Sequence, residues 1–163
     1  MNVAYLLTGG NLGNRNEYLN QANILIQQFC GKIIELSSVY ETAAWGMEEQ
    51  PSFYNQSVKL HTKLQPEILM KTLLNIEEKM GRKRLQKLGP RIIDIDILLM
   101  NDDVINTPFL KIPHPQLAER KFALTPLAEI AGEKIHPVLK KTINQLLKEC
   151  TDKLNVYKIY NLN

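Results

Sequence analysis

Ile92-Ile93-Asp94-Ile95-Asp96-Ile97-Leu98-Leu99 is the stretch that decides the fold. Its run of branched aliphatic residues predicts a β-strand buried on at least one side. Side chains alternate along a strand, so Ile93, Ile95 and Ile97 share one face while Asp94 and Asp96 share the other. At a rise of about 3.3 Å per residue the two carboxylate-bearing carbons lie about 7 Å apart, within reach of a common divalent cation. A buried carboxylate without a partner is costly or is driven to take up a proton, so an apolar strand carrying two acids calls for an explanation. Taken alone, the pair equally suits acids that face solvent on the uncovered side of an antiparallel sheet, or acids paired with arginines.

The residues just upstream bear on that choice. Lys79, Arg82, Lys83, Arg84, Lys87 and Arg91 fall between positions 79 and 91 with no acid among them. The chain has 163 residues and a net charge of +3, so its remainder is mildly acidic. On charge alone, the basic stretch reads as a solvated loop. Beside two hard-oxygen ligands it suits a magnesium-bound polyphosphate, whose oxygens need both metal and guanidinium partners. Gly81 and Gly89 flank it and would let it close over a nucleotide. No P-loop and no protein-kinase motif set is found, so phosphoryl chemistry would have to use another scaffold.

Further out, Val3 to Leu7 reads as a strand running into the loop Gly9-Gly10-Asn11-Leu12-Gly13. From Glu17 to Phe29, Leu19, Ala22, Ile26 and Phe29 recur at helical spacing, with Gly31 as the stop. Ile33 to Tyr40 and Tyr54 to Thr62 read as strands, separated by a connection longer than a hairpin needs. Pro66 opens a second helix bearing Leu69, Leu73, Ile76 and Met80. The order β-α-β-β-α-β predicts an α+β, ferredoxin-like core: an antiparallel sheet with helices packed on it. Short strands at Val104-Ile105 and Phe109-Leu110, then helical patterns at Leu124 to Ile130 and Ile143 to Leu147, form a C-terminal extension. The residues from Asn155 on read as either a strand or a tail.

A hydrophobic content of 44% and a charged content of 23% fit one folded domain, residues 1–163, and exclude disorder. No apolar run is long enough for a membrane span. Cys30 and Cys150 form no metal-binding or disulfide pattern and fit a reducing cytoplasm, and no secretory signal is read at the start. His61 and His136 read as structural or exposed.

Gly89-Pro90-Arg91-Ile92-Ile93-Asp94-Ile95-Asp96-Ile97-Leu98 closely resembles the signature of the 6-hydroxymethyl-7,8-dihydropterin pyrophosphokinases of folate biosynthesis. Similar to that family's other motifs, in order, are Gly9-Gly10-Asn11-Leu12-Gly13, Tyr40 to Gly46, Gln50 to Asn55, Glu77 with Gly81-Arg82-Lys83-Arg84, and Pro113-His114 with Arg120-Lys121-Phe122. The resemblance implies transfer of pyrophosphate from ATP to the pterin hydroxymethyl group, leaving AMP. It implies that Asp94 and Asp96 bind two magnesium ions, and that Arg82, Arg84 and Arg91 contact phosphates, Arg82 and Arg91 with a catalytic role. His114 and Arg120 would hold the nucleotide, and Ile97 would line the adenine side. Phe53 and Phe122 would stack on the pterin, Asn55 would read its edge with groups of Thr42, Ala43 and Ala44, and Trp45 would be a lid or a loop anchor. Without the family, Phe53 and Phe122 read as core aromatics and Asn55 as an ordinary strand residue. The chain departs from the pattern at Gly10, at Ala43 and Ala44 where prolines are common, at Leu88 where well-known members have Trp, and at Pro115.

Three other classes compete, one of them a purely regulatory ligand-binding domain, which would not need paired metal-binding acids. A single-strand RNA-binding module shares the element order but needs exposed aromatics in a basic strand, and here that strand carries acids. Another metal-dependent nucleotidyltransferase would share the paired aspartates but not the Phe53, Asn55, Phe122 set. The expected partners are ATP and the pterin, with no nucleic acid and no membrane, and the chain is expected to be a monomer.

Overall fold

The computed structural model describes residues 1–44, 49–83 and 89–161. Among these residues eight strands and four α-helices follow one another: β1 (Asn2–Gly10), α1 (Arg15–Phe29), β2 (Lys32–Leu36), β3 (Tyr40–Thr42), β4 (Phe53–Thr62), α2 (Pro66–Lys79), β5 (Asp94–Met100), β6 (Ile105–Asn106), β7 (Lys111–Ile112), α3 (Lys121–Ala131), α4 (Ile143–Glu149) and β8 (Val156–Lys158). The main sheet is antiparallel and runs β5-β1-β4-β3-β8, with β2 also paired to β4. Taking β2 and β3 as two pieces of one strand, this is the ferredoxin-like βαββαβ order expected from the sequence.

The alternation in β5 divides the protein into two cores. Ile93, Ile95 and Ile97 pack with Leu6, Val58 and Leu60 under the apolar stripes of α1 (Leu19, Ala22, Ile26) and α2 (Leu69, Leu73, Ile76). On the other face Tyr5, Leu7, Leu98 and Leu99 pack against Leu124 and Leu127 of α3 and Ile143 and Leu146 of α4. A bulge makes this possible. Leu6 faces Ile97 and Tyr5 faces Leu99 across β1 and β5, which leaves Leu98 as an extra residue. Leu98 and Leu99 therefore both point to the α3 side, and Met100 returns to the α1 side.

The helices start and stop where local chemistry dictates. Asn14 caps α1 by accepting from Glu17 N–H, Pro66 occupies the first turn of α2, and Thr142 forms a reciprocal capping box with Gln145 on α4. Several element boundaries differ from the sequence reading. β1 continues through Gly9 and Gly10. The strand read from Ile33 to Tyr40 is interrupted after Leu36, because Ser37 Oγ accepts the Ser57 N–H in place of a main-chain carbonyl. In the extension, Lys111–Ile112 rather than Phe109-Leu110 pairs with Ile105–Asn106, since Leu110 is held in a turn by Thr107. The last segment, read as either a strand or a tail, is a strand paired with β3.

Cys30 is buried, which pushes its thiol up to about 12, and His136 is buried with its Nδ1 accepting from the amides of Val138 and Leu139. Both are structural. Gly31, between α1 and β2, has φ +153°, and a Cβ there would lie 2.1 Å from the His61 carbonyl oxygen. Backbone cannot yield as a side-chain tip can. Gly31→Ala is expected to lower stability by about 1–3 kcal/mol, read as a fall in the urea midpoint at unchanged slope.

Candidate active site

At the end of the sheet that α3 and α4 leave open, a cleft of about 500 Å³, counting space open to solvent, is lined by Leu7, Gly9, Thr42, Ala43, Phe53, Asn55, Arg91, Asp94, Asp96, Arg120 and Phe122. Its floor is a single row across four strands. Asp94 of β5 pairs with Gly9 of β1, Gly9 with Asn55 of β4, and Asn55 with Tyr40 of β3. Neighbouring strands are about 4.8 Å apart, so Asp94 and Asn55 stand roughly two strand spacings from each other with only a glycine between. A Cβ at Gly9 would lie 2.1 Å from Asn55 Oδ1. The Asn55 amide thus leans over the space that a side chain at position 9 would fill. Asn55 is 4% exposed, and its Nδ2 is buried without a hydrogen-bond acceptor among the described residues.

Charge gathers at the β5 end. Arg82 Nη1 donates to Glu77 Oε1 and to Asp94 Oδ1, each at 2.7 Å, and Arg91 Nε lies 3.4 Å from Asp94 Oδ2. Burial, and secondly the neighbouring Asp94, push the Asp96 carboxyl up to about 8, against the opposing field of Arg120. A cation placed between the two acids would relieve that repulsion. Among the described residues no three His, Cys, Asp or Glu side chains gather as a metal site. Two carboxylates therefore fit magnesium, which takes one or two protein carboxylates and completes its shell with water and substrate phosphates. They do not fit a closed structural metal centre.

His114 donates its main-chain N–H to Leu98 O at 2.9 Å, which holds it beside β5. Its Nδ1 accepts from Gln116 N–H at 3.1 Å, so the ring proton resides on Nε2. Burial, with Arg120 nearby, lowers its pKa to about 4 and keeps it neutral at pH 7. Arg120 hydrogen-bonds Gln116 through Nη2, and its guanidinium lies 5.7 Å from the centre of the Phe122 ring. Arg91 lies 4.7 Å over the Phe53 ring, so it stands between the acids and the aromatic end.

Of the residues singled out from the sequence, Asp94, Asp96, Arg91, Arg120, Thr42, Ala43, Phe53, Asn55 and Phe122 line this one cleft. Arg82 and His114 border it. Ile97 points the other way, its side chain 4% exposed in the core beneath α1 and α2, and Ala44 is buried outside the lining. Trp45, Arg84 and Leu88 lie outside the described residues.

Three supporting groups were not assigned a role from sequence. Asn11, 3% exposed, donates through Nδ2 to Gln50 Oε1 (2.8 Å) and Pro51 O (2.9 Å), and its Oδ1 accepts from Arg91 N–H (2.9 Å). It thereby fastens the segment before β4 to the segment before β5. Arg15 Nη1 reaches Glu41 Oε2 (2.9 Å), Ser52 O (3.0 Å) and Ser52 Oγ (2.8 Å), clamping both ends of the long connection between β3 and β4. Glu77, 2% exposed, accepts from Ile95 N–H through Oε2 at 2.8 Å while holding Arg82. It did leave a signal: an acid within the apolar stripe of α2, four residues after Leu73.

Comparisons with known proteins identify the family. A sequence profile of the family described as 7,8-dihydro-6-hydroxymethylpterin-pyrophosphokinase matches residues 5–132. The 2-amino-4-hydroxy-6-hydroxymethyldihydropteridine pyrophosphokinase of Aquifex aeolicus is 42% identical over 151 residues, 93% of this chain and 94% of the relative. Its Bacillus subtilis namesake is 44% identical over 133 residues, 81% of this chain and 80% of the relative. The crystal structure of Plasmodium falciparum HPPK-DHPS with pterin and p-hydroxybenzoate superimposes with a TM-score of 0.73 at 23% identity, covering 91% of this chain and 43% of that one. That likeness is of fold. A small α+β enzyme of group transfer is what the sheet and its polar cleft define, and the chain belongs to the 7,8-dihydro-6-hydroxymethylpterin pyrophosphokinase family. Its reaction is pyrophosphoryl transfer to 6-hydroxymethyldihydropterin in folate biosynthesis. Among the described residues no helix is long and apolar enough to cross a membrane.

Asn11→Ala is expected to cost about 2–3 kcal/mol of stability, since it strands several buried polar groups at once. It should also lower turnover by loosening both segments together, checked by denaturant titration alongside steady-state kinetics.

Proposed function

We propose that one cleft holds both substrates, ATP over the β5 end and the pterin over the β3–β4 end. One observation carries this reading: the row Asp94, Gly9, Asn55, with Asp96 two residues further along β5 on the same face, sets a pair of carboxylates and an amide on one floor, with a glycine gap between Asp94 and Asn55. Asp94 and Asp96 would hold magnesium, which when bound would neutralise and orient the triphosphate. Arg91 lies between Asp94 and the Phe53 ring and would meet the β-phosphate as it approaches the pterin hydroxymethyl oxygen. That oxygen bonds to the β-phosphorus as the bond from the β-phosphorus to the α-phosphate oxygen breaks, and AMP leaves. Such a transfer depends chiefly on positioning and charge, and no side chain is assigned as a base.

Arg82 and Arg84 would bring further positive charge to the phosphates, Arg82 by leaving its contact with Asp94. Neutral His114, donating from Nε2, and Arg120 would hold the nucleotide. Ile97, its side chain committed to the core, offers the adenine only main-chain groups. At the other end Phe53 and Phe122 would sandwich the flat pterin, a ring system that favours aromatic faces and a few fixed polar groups. The unpartnered Nδ2 of Asn55 and the main chain at Thr42 to Ala44 would read its edge, with Trp45 next in the chain. Cytoplasmic function fits the free cysteines, and the chain is proposed to act as a monomer.

The deciding experiment incubates the protein with ATP, magnesium and 6-hydroxymethyl-7,8-dihydropterin. AMP release that requires both the pterin and the metal is expected, and ADP release or metal-independent turnover would overturn the assignment. Asp94→Ala and Asp96→Ala should each lower turnover by about 100-fold or more while retaining the wild-type circular dichroism spectrum. Arg82→Ala should slow the chemical step in single-turnover kinetics more than it weakens ATP binding; equal losses in both would make Arg82 a simple binding group.

A further inference from the structure

Glu129, in the last turns of α3, lies away from the cleft but is tied to the strands that form it. Its Oε2 accepts from Ser38 N–H at 2.6 Å, its Oε1 accepts from the Tyr40 hydroxyl at 2.7 Å, and Lys158 Nζ of β8 stands 3.8 Å from Oε1. Three donors thus reach it from the break between β2 and β3, from β3 itself and from β8. α3 also buries Ala123, Leu124 and Leu127 in the core it shares with Tyr5, Leu7, Leu98 and Leu99 of the sheet. Those contacts are apolar and non-directional, so they fix how far α3 stands from the sheet better than they fix where it sits along it. Charge-assisted hydrogen bonds supply that direction.

Two features carry the effect into the cleft. Tyr40, 8% exposed, is the register partner of Asn55, so its side chain stands on the same face beside that amide. Phe122 precedes Glu129 by seven residues, two helical turns, and therefore lies on the same side of α3 about 10.5 Å away along the axis. The anchor that holds α3 against β3 thus sets the spacing between Phe122 on the helix and Phe53 and Asn55 on the sheet. Pro126, inside the same helix, removes the hydrogen bond that would tie its position back to Phe122. The turn bearing the aromatic ring accordingly depends on packing and on anchors elsewhere for its place.

We infer that Glu129 is a positioning residue for pterin recognition, holding α3 in register with β3 so that the slot between Phe122 and Phe53 keeps the width of one flat ring. The inference rests on the assignment of that slot to the pterin.

The test measures the KM of each substrate, together with direct binding of 6-hydroxymethylpterin, for Glu129→Ala, Glu129→Gln, Tyr40→Phe and Phe122→Ala. Glu129→Ala should raise the pterin KM and dissociation constant at least fivefold while the ATP KM stays within twofold. Glu129→Gln, whose amide can still accept from Ser38 and hydrogen-bond the Tyr40 hydroxyl, should recover most of that loss. Tyr40→Phe should fall between the two. A merely structural role would move both KM values and the melting temperature together without rescue by Gln, and that result would overturn the inference. If Phe122→Ala weakens the pterin but no Glu129 or Tyr40 variant does, the slot stands and the anchor falls. If Phe122→Ala leaves pterin binding unchanged, the slot reading falls and the anchor with it. Should Glu129→Ala fail to fold, Glu129→Gln and Tyr40→Phe decide: near-normal pterin binding with Gln and a selective pterin defect with Phe support the inference, and any other pairing rejects it.

Discussion

A strand that buries isoleucines on one face and carries two carboxylates on the other cannot be covered alike on both sides. That constraint, set by Asp94 and Asp96 alternating with Ile93, Ile95 and Ile97, shapes the whole molecule. The apolar face takes α1 and α2 over its full length. The acid-bearing face takes α3 and α4 only where the bulge at Leu98 turns two leucines toward them. What remains uncovered is the cleft. It is therefore a consequence of how the sheet has to be packed, and the other cleft residues collect at the one place where polar side chains meet no apolar layer.

Charge in that cleft is balanced internally before any substrate enters. Arg82 and Arg91 both approach Asp94, while Asp96 has the neighbouring acid and the more distant Arg120 acting on it. The arginines proposed for phosphate binding are thus stored against a carboxylate proposed for metal binding, so neither set is left buried without a counter-charge. Under the proposed function, a metal bound with a polyphosphate would exchange partners on both sides and keep the charge compensated.

The periodic elements were legible in the sequence because they depend on neighbours three, four or two residues away. The stripes Leu19, Ala22, Ile26 and Leu69, Leu73, Ile76 sit where spacing put them, and Asp94 and Asp96 share a face as alternation requires. Features that depend on distant partners were not legible. Asn11 meets Gln50 and Arg91 across 39 and 80 positions, and Glu129 meets Ser38 across 91. The break after Leu36 comes from one serine hydroxyl replacing a carbonyl, which no propensity encodes. β8 has three residues, too few to show a period, and exists because β3 offers it an edge. Ile97 shows what a motif leaves open: the resemblance implies that it lines the adenine side, and alternation adds that its side chain faces the core.

The carboxylate of Glu77 has another consequence, for how the molecule behaves among copies of itself. β5 is the outermost strand on its side of the sheet, and such an edge ordinarily displays main-chain groups to which another chain can add. Here the Ile95 N–H is taken by buried Glu77, and the Leu98 carbonyl by the His114 amide. An incoming strand would have to expel a buried charge from one position and a loop from the other. The groups that hold the cleft end of β5 in place also obstruct the addition of a strand along this border of the sheet.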